Sequence, residues 1–223
     1  MSACCTGFCA ATARQFDAAI AERDLRRLRA RGPVPPTSQL LEALSGRISA
    51  GAALLDVGAG VGALTLELLR LGAGTATVVE AAPAYLEAAR REAARRGLSD
   101  RINFLEGDFA RLASSIAPAE IVMMDRVVCC YPEFEPLLKA GLERTQRLFA
   151  YSYPQDRWYV RLMVGLENLI RRLRRNPFRT LVHPAAAMAA RISNLGFRQA
   201  HGCGTMVWRV ELWERSPDAT ARA

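Results

Sequence analysis

Between residues 53 and 152, short apolar runs alternate with stretches whose apolar positions recur every three or four residues. The runs at 53–57, 75–80, 101–105, 120–125 and 147–152 read as strands buried on both faces, and the segments 62–71, 83–96, 109–116 and 133–146 read as helices. Such alternation specifies a parallel sheet covered by helices. Two more helices are expected at about 156–175 and 184–195. Strands at 197–202 and 205–214 follow, divided by Gly202 and Gly204 and close enough to pair antiparallel. Upstream, Phe16, Ile20, Leu25 and Leu28 sit at near-helical spacing within 14–31, and Gly32-Pro33 with Pro35-Pro36 ends that helix. Thr37 or Ser38 is placed to N-cap the next one, which turns Leu40, Leu41, Leu44 and Ile48 inward.

The expected fold is therefore α/β: a Rossmann-like doubly wound sheet of about seven strands, mostly parallel, with a C-terminal antiparallel pair and helices on both faces. Residues 1–36 read as a Cys-rich tip and a helical extension packed on the core, 37–214 as the core domain, and 215–223 as a frayed tail. With 223 residues, 51% of them hydrophobic and 23% charged, the chain can bury a substantial core. It shows neither a membrane-spanning run nor a signal peptide, so a cytoplasmic location is expected.

The net charge of +8 rests almost wholly on arginine, Lys139 being the only lysine, and the arginines are spread among helices. Nucleic acid is not expected as a partner on that pattern, whereas an acidic or amphiphilic small molecule suits it. The six cysteines, Cys4, Cys5, Cys9, Cys129, Cys130 and Cys203, match no zinc spacing, and a core of this size has no need of disulfides. Reduced, partly buried thiols are expected and no metal site is assigned, although a thiol or metal cluster built from the N-terminal and mid-chain cysteines is the rival reading.

Asp56, Glu80, Asp108 and Asp125 each stand at or just past the end of one of four successive apolar runs. In an open parallel sheet the ligand crevice lies at the carboxyl ends of the strands, so four carboxylates converge there and favour a cation. Gly58, Gly60 and Gly62 follow the first run and open a helix, where glycines let a ligand approach the backbone. The same loop fits a dinucleotide pattern, with Glu80 twenty residues past Gly60 as the ribose acid, so an NAD-dependent oxidoreductase is a rival. Asp56, two residues before the first glycine, would repel a pyrophosphate and welcome an ammonium or sulfonium. S-adenosylmethionine carries both cations and a ribose diol.

Leu54-Leu55-Asp56-Val57-Gly58-Ala59-Gly60-Val61-Gly62, the strand-terminal Glu80, Gly107-Asp108-Phe109 and the Asp125 loop resemble the motifs of class I S-adenosylmethionine-dependent methyltransferases over about residues 37–214. The resemblance implies that Gly58, Gly60 and Gly62 pass under the methionine and ribose. It gives the ribose hydroxyls to Glu80 and the adenine amino group to Asp108, with Phe109 beside the ring. Asp125 falls between cofactor and acceptor.

The acceptor side begins at Asp125-Arg126-Val127-Val128-Cys129-Cys130-Tyr131-Pro132 and lacks the Asn/Asp-Pro-Pro-aromatic motif of enzymes methylating adenine or glutamine nitrogens. The stretch from Tyr131-Pro132 through Tyr151-Ser152-Tyr153-Pro154 and Trp158-Tyr159 to Leu181-Val182-His183 is similar to the C-terminal half of magnesium-protoporphyrin O-methyltransferases, which esterify a propionate. Cys130 replaces a histidine of that family, and Phe16-Asp17 stands where it has a tyrosine, so a different acceptor is expected. The candidates facing it are Cys130, Tyr131 and His183, and the acceptor is expected to be a small, fairly apolar molecule, with O-methylation favoured. Trp158, Leu162, Leu166, Leu169 and Leu173 share one helical face, for which core packing is the expected role and a lid or peripheral contact with acidic lipid the alternatives.

Overall fold

The computed structural model describes residues 7–216. The apolar runs become seven strands of one sheet: β1 (Ala53–Val57), β2 (Thr75–Glu80), β3 (Ile102–Glu106), β4 (Ala119–Asp125), β5 (Thr145–Pro154), β6 (Phe197–Gly204) and β7 (Trp208–Arg215). Their order is β3-β2-β1-β4-β5-β7-β6, parallel through β5, with β7 antiparallel to both β5 and β6. The expected fold class is borne out. Because the order reverses between β1 and β4, their carboxyl ends flank the crevice in which ligands of such sheets bind.

Alternation along each strand sorts the core into two layers. Leu55, Val57, Val122, Met124, Phe149 and Tyr151 form one face, packed against α6 (Phe109–Leu112), α7 (Phe134–Glu143) and α9 (Ala185–Asn194). Leu54, Ala76, Val78, Ile121, Met123 and Leu148 form the other, under α3 (Thr37–Ser45), α4 (Ala63–Arg70) and α5 (Pro83–Arg95). The same parity puts Asp56, Asp125 and Ser152 on the α3/α4 face, and Asp125 is level with Ser152 across β4 and β5.

Three local expectations change. Residues 14–31 do not form one helix: α1 (Gly7–Gln15) begins inside the supposed Cys-rich tip, and α2 (Ala18–Arg31) starts afresh because Asp17 caps it by accepting from the Ile20 N–H at 2.9 Å. Thr37 does not cap α3; its hydroxyl is engaged elsewhere. β5 is longer at both ends than expected, since Tyr151, Ser152 and Tyr153 stay paired to β7 as far as Pro154. Cys4, Cys5 and residues 217–223 lie outside the described residues. Cys9 is disulfide-bonded rather than reduced, and none of the three free thiols Cys129, Cys130 and Cys203 is its partner.

The long helix α8 (Trp158–Leu173) departs most from expectation. Val160 and Val164 face the protein, whereas the Trp158 and Leu173 stripe faces solvent. The helix is amphipathic as read, but its apolar arc points the other way.

Candidate functional site

Asp56 is 1% exposed at the end of β1, and its Oδ2 accepts from the Thr65 hydroxyl at 2.6 Å. Burial pushes its carboxyl up to about 7; the Thr65 hydrogen bond opposes the rise, while Asp125 and Glu80 add to it. The loop that follows keeps Gly58, Gly60 and Gly62 at φ of 65°, 57° and 77°, a backbone that L side chains resist. A Cβ on Gly58 would stand 2.6 Å from Val127, so glycine there lets the β4 loop close against it. A Cβ on Gly60 would meet nothing within 4 Å, so the loop presents bare backbone to open space.

Glu80, at the end of β2, clasps that loop: its Oε2 accepts from the Gly60 N–H and its Oε1 from the Ala82 N–H, both at 2.9 Å. Burial raises its carboxyl, and these backbone donors pull it back. Asp108 caps α6 through the Ala110 N–H at 3.1 Å and also accepts from the Tyr131 hydroxyl at 2.8 Å. Tyr131 is thereby tied to the loop after β3, and burial followed by the charge of Asp108 drives its hydroxyl far above the usual range.

Asp125 is the most heavily engaged of the four acids. Ser152 Oγ and Thr37 Oγ1 each donate to it at 2.5 Å, and Arg126 forms an ion pair at 3.3 Å. Arg126 sits at φ 60°, held by its own N–H to Ser152 Oγ at 2.9 Å. The four acids therefore do not contribute equally to a crevice for a cation: Asp125 is already paired with Arg126, whereas Asp56 and Glu80 face it without a paired cation among the described residues.

A cavity of about 410 Å³ brings together Asp56, Gly58, Gly60, Glu80, Phe109, Asp125, Cys130 and Tyr131. Gly62, Asp108 and His183 are not on its wall. His183 instead places Nε2 at 3.0 Å from the Tyr131 carbonyl and 3.2 Å from that of Val128, and it lines a separate depression with Phe134. Burial lowers its pKa and the two carbonyls oppose that shift. Cys129 and Cys130 bring their Sγ atoms to 4.0 Å, and both donate to the Arg126 carbonyl. Cys130 is raised well above an ordinary thiol by its bond to Cys129 and by burial. Among the described residues, no group of three or more His, Cys, Asp or Glu is placed to hold a metal ion.

The roof of the cavity comes from the first two helices. Phe8 lies 4.3 Å from Tyr131 between ring centroids, and Phe16 is 5.3 Å from Tyr85 and 5.2 Å from Phe178. Gln15 accepts from Asn176 at 2.9 Å, and the Tyr85 hydroxyl donates to Asp24 at 2.6 Å. Asn168 brackets Thr180, donating to its carbonyl at 2.7 Å and accepting from its N–H at 3.0 Å. The sequence pattern did not reveal Thr65 or Phe8, and it placed Thr37 at a helix cap and Ser152 in a strand rather than against Asp125. Hydroxyl residues carry no pattern of their own, and Phe8 lay in a segment without a recognised helix.

Residues 54–149 match the family model described as a methyltransferase domain. Ribosomal protein L11 methyltransferase of Enterobacter sp. (strain 638) is 32% identical over 108 residues, 48% of this chain and 36% of that protein. The Salmonella arizonae protein of the same name is 39% identical over 71 residues, 32% of this chain and 24% of the relative. The chain thus spans only about a quarter to a third of the length of these curated relatives. Among solved structures, magnesium protoporphyrin IX methyltransferase from Synechocystis PCC 6803 with bound S-adenosylhomocysteine superposes with a TM-score of 0.71 at 17% identity, covering 91% of this chain and 98% of that one. The [4+2]-cyclase SpnF superposes at 0.64 with 15% identity over 92% and 94%. One fold carries both, so the chemistry has to be argued from the site.

Proposed function

We propose, on the premise that residues 54–149 are a methyltransferase domain within a class I methyltransferase fold, that this protein transfers a methyl group from S-adenosylmethionine to a carboxylate oxygen of a small, largely apolar acceptor. One observation carries the reading: a single cavity runs from the buried acids and bare glycine backbone to a wall of aromatic rings and thiols. The acid and glycine end fits the cofactor. Gly60 offers backbone where a side chain would intrude, Glu80 has carboxylate lone pairs for ribose hydroxyls, and Asp56 suits a neighbouring positive charge. When bound, S-adenosylmethionine supplies an electrophilic methyl group on a sulfonium.

At the other end, Phe8, Phe16, Tyr131 and Phe178 offer apolar surface, and Arg171, paired with Glu167 at 3.1 Å, is a cation that an anionic acceptor would have to take over from that carboxylate. A carboxylate is already deprotonated at neutral pH, so such an acceptor needs positioning rather than a base. That agrees with a cavity whose thiol Cys130 is held protonated, while His183 lies off its wall with Nε2 directed at the Val128 and Tyr131 carbonyls. The L11 relatives are named for methylation of a protein, which makes a protein acceptor the second reading. The roof of α1 and α2 over the cavity favours the smaller one.

Calorimetry with S-adenosylmethionine and S-adenosylhomocysteine tests the cofactor half, and failure of the folded protein to bind either one would reject it. Glu80→Ala strands two backbone donors as well as removing the ribose contact, so affinity should fall by about 10- to 100-fold, and Glu80→Gln by less. Isotopically labelled methyl transferred to a panel of apolar carboxylic acids should be released as methanol in mild base; label that survives base would reject the ester.

A further inference from the structure

Among the described residues, nothing packs over the outward face of α8. Trp158 is 77% exposed, Leu162 66%, Leu166 58%, Leu169 51% and Leu173 76%, and Met206 in the β6–β7 turn is 79% exposed. Met206 lies at the N-terminal end of this stripe, because the Tyr159 hydroxyl donates to its carbonyl at 2.8 Å. The five α8 positions recur every three or four residues, and over 16 residues the helix runs for about 24 Å. A continuous exposed apolar stripe of this length marks an interaction surface rather than ordinary surface variation.

Charge identifies what covers it. Arg157, Arg172, Arg174 and Arg175 flank the stripe, are exposed, and have no ion-pair partner among the described residues. The acids on or beside the helix are both engaged, Asp156 with Arg161 at 2.7 Å and Glu167 with Arg171 at 3.1 Å. A second copy docked on this face would bring these arginines close to their like. An anionic bilayer surface satisfies both halves of the pattern, taking apolar side chains below the headgroups and guanidinium groups among them. Among the described residues no helix is long and apolar enough to cross a membrane, so the helix lies in the interface.

We infer that this protein docks on anionic lipid membranes through the Trp158–Leu173 face of α8, assisted by Met206. The inward side of the same helix contributes Glu167 and Arg171 to the cavity wall, so docking places the cavity next to the source of an apolar, anionic acceptor. That second clause rests on the methyltransferase reading; the docking does not.

The test is flotation of the full chain with vesicles of phosphatidylcholine alone and of phosphatidylcholine with phosphatidylglycerol, beside the Leu162→Glu/Leu166→Glu variant. Both leucines are exposed, so circular dichroism and S-adenosylhomocysteine affinity should match wild type. The wild type should float with the anionic vesicles, weaken in high salt, and bind neutral vesicles poorly, and the variant should lose more than about tenfold in affinity. Absence of flotation, equal binding to neutral vesicles, or an unaffected variant overturns the inference. So does a concentration-dependent dimer, seen in sedimentation and abolished by the same variant, because a second copy would then own the face. Flotation without cofactor binding would uphold the docking while rejecting the methyltransferase reading.

Discussion

Burial decides the chemistry of Asp56, and its effect has a sign that can be measured. The unfolded carboxyl loses its proton near 3.8, whereas the folded one keeps it up to about 7. Between those values the native state binds more protons, so this group's contribution to stability falls as pH rises through the window. A cationic ligand prefers the ionised form, so its affinity should rise with pH below 7, approaching about tenfold per pH unit, and level off above. Calorimetry with S-adenosylmethionine at pH 6 and pH 8, repeated in buffers of different ionisation enthalpy, should show proton release at the lower pH. Asp56→Asn should abolish both effects, and a flat wild-type profile would mean that Asp56 does not face the cation. Cys130 gives a second reading of the same environment: a thiol raised this far should alkylate slowly with iodoacetamide at pH 8 and rapidly in denaturant, as followed by mass spectrometry. Asp56 and Glu80 were legible because each ends a strand beside a glycine loop. Thr65 and Thr37, which bond Asp56 and Asp125 from 9 and 88 residues away, were not, since only the folded register brings them there.

The attachment of α2 turns on one side chain. Glu92, on α5, has no exposed surface and accepts from Arg95 and Arg96 at the C-terminal end of the same helix and from Arg29 of α2. These guanidinium groups, Arg95 foremost, hold its carboxyl down to about 2. Its contribution is therefore complete above about 4.5 and is lost as pH falls towards 2. Glu92→Gln should cost about 2–4 kcal/mol in urea unfolding at pH 7, because three arginines lose their counter-charge, and the deficit should shrink at pH 3. A deficit below about 0.5 kcal/mol at neutral pH would show that α2 is held by Leu25 and Ala21 against Ala88 and by the bonds of Asp24 to Tyr85 and Glu22 to Arg91. The strands of the central sheet were legible as elements because their apolar runs are short and bounded. The orientation of α8 was not: periodicity reveals that a helix has an apolar face and is silent on whether that face turns to core or to water.

Across the whole molecule, two helices that precede the sheet in sequence close a cavity whose floor lies at the ends of β1, β2 and β4. The family match covers 54–149, the part whose pattern could be read directly, while the roof and α8 lie outside it. Those outer parts meet the acceptor end and would set its identity. Phe16 joins residues separated by 162 positions when it meets Phe178, and Gln15 and Asn176 close the same gap. Contacts of such sequence separation form late in folding, because the intervening chain must be ordered first. During synthesis α2 can rest on α5 once Tyr85, Ala88 and Glu92 are made, whereas Phe16 and Gln15 wait for Phe178 and Asn176. Refolding should therefore restore the helical signal before it restores ligand binding, and synthesis stopped short of residue 178 should yield strands and helices without a closed pocket.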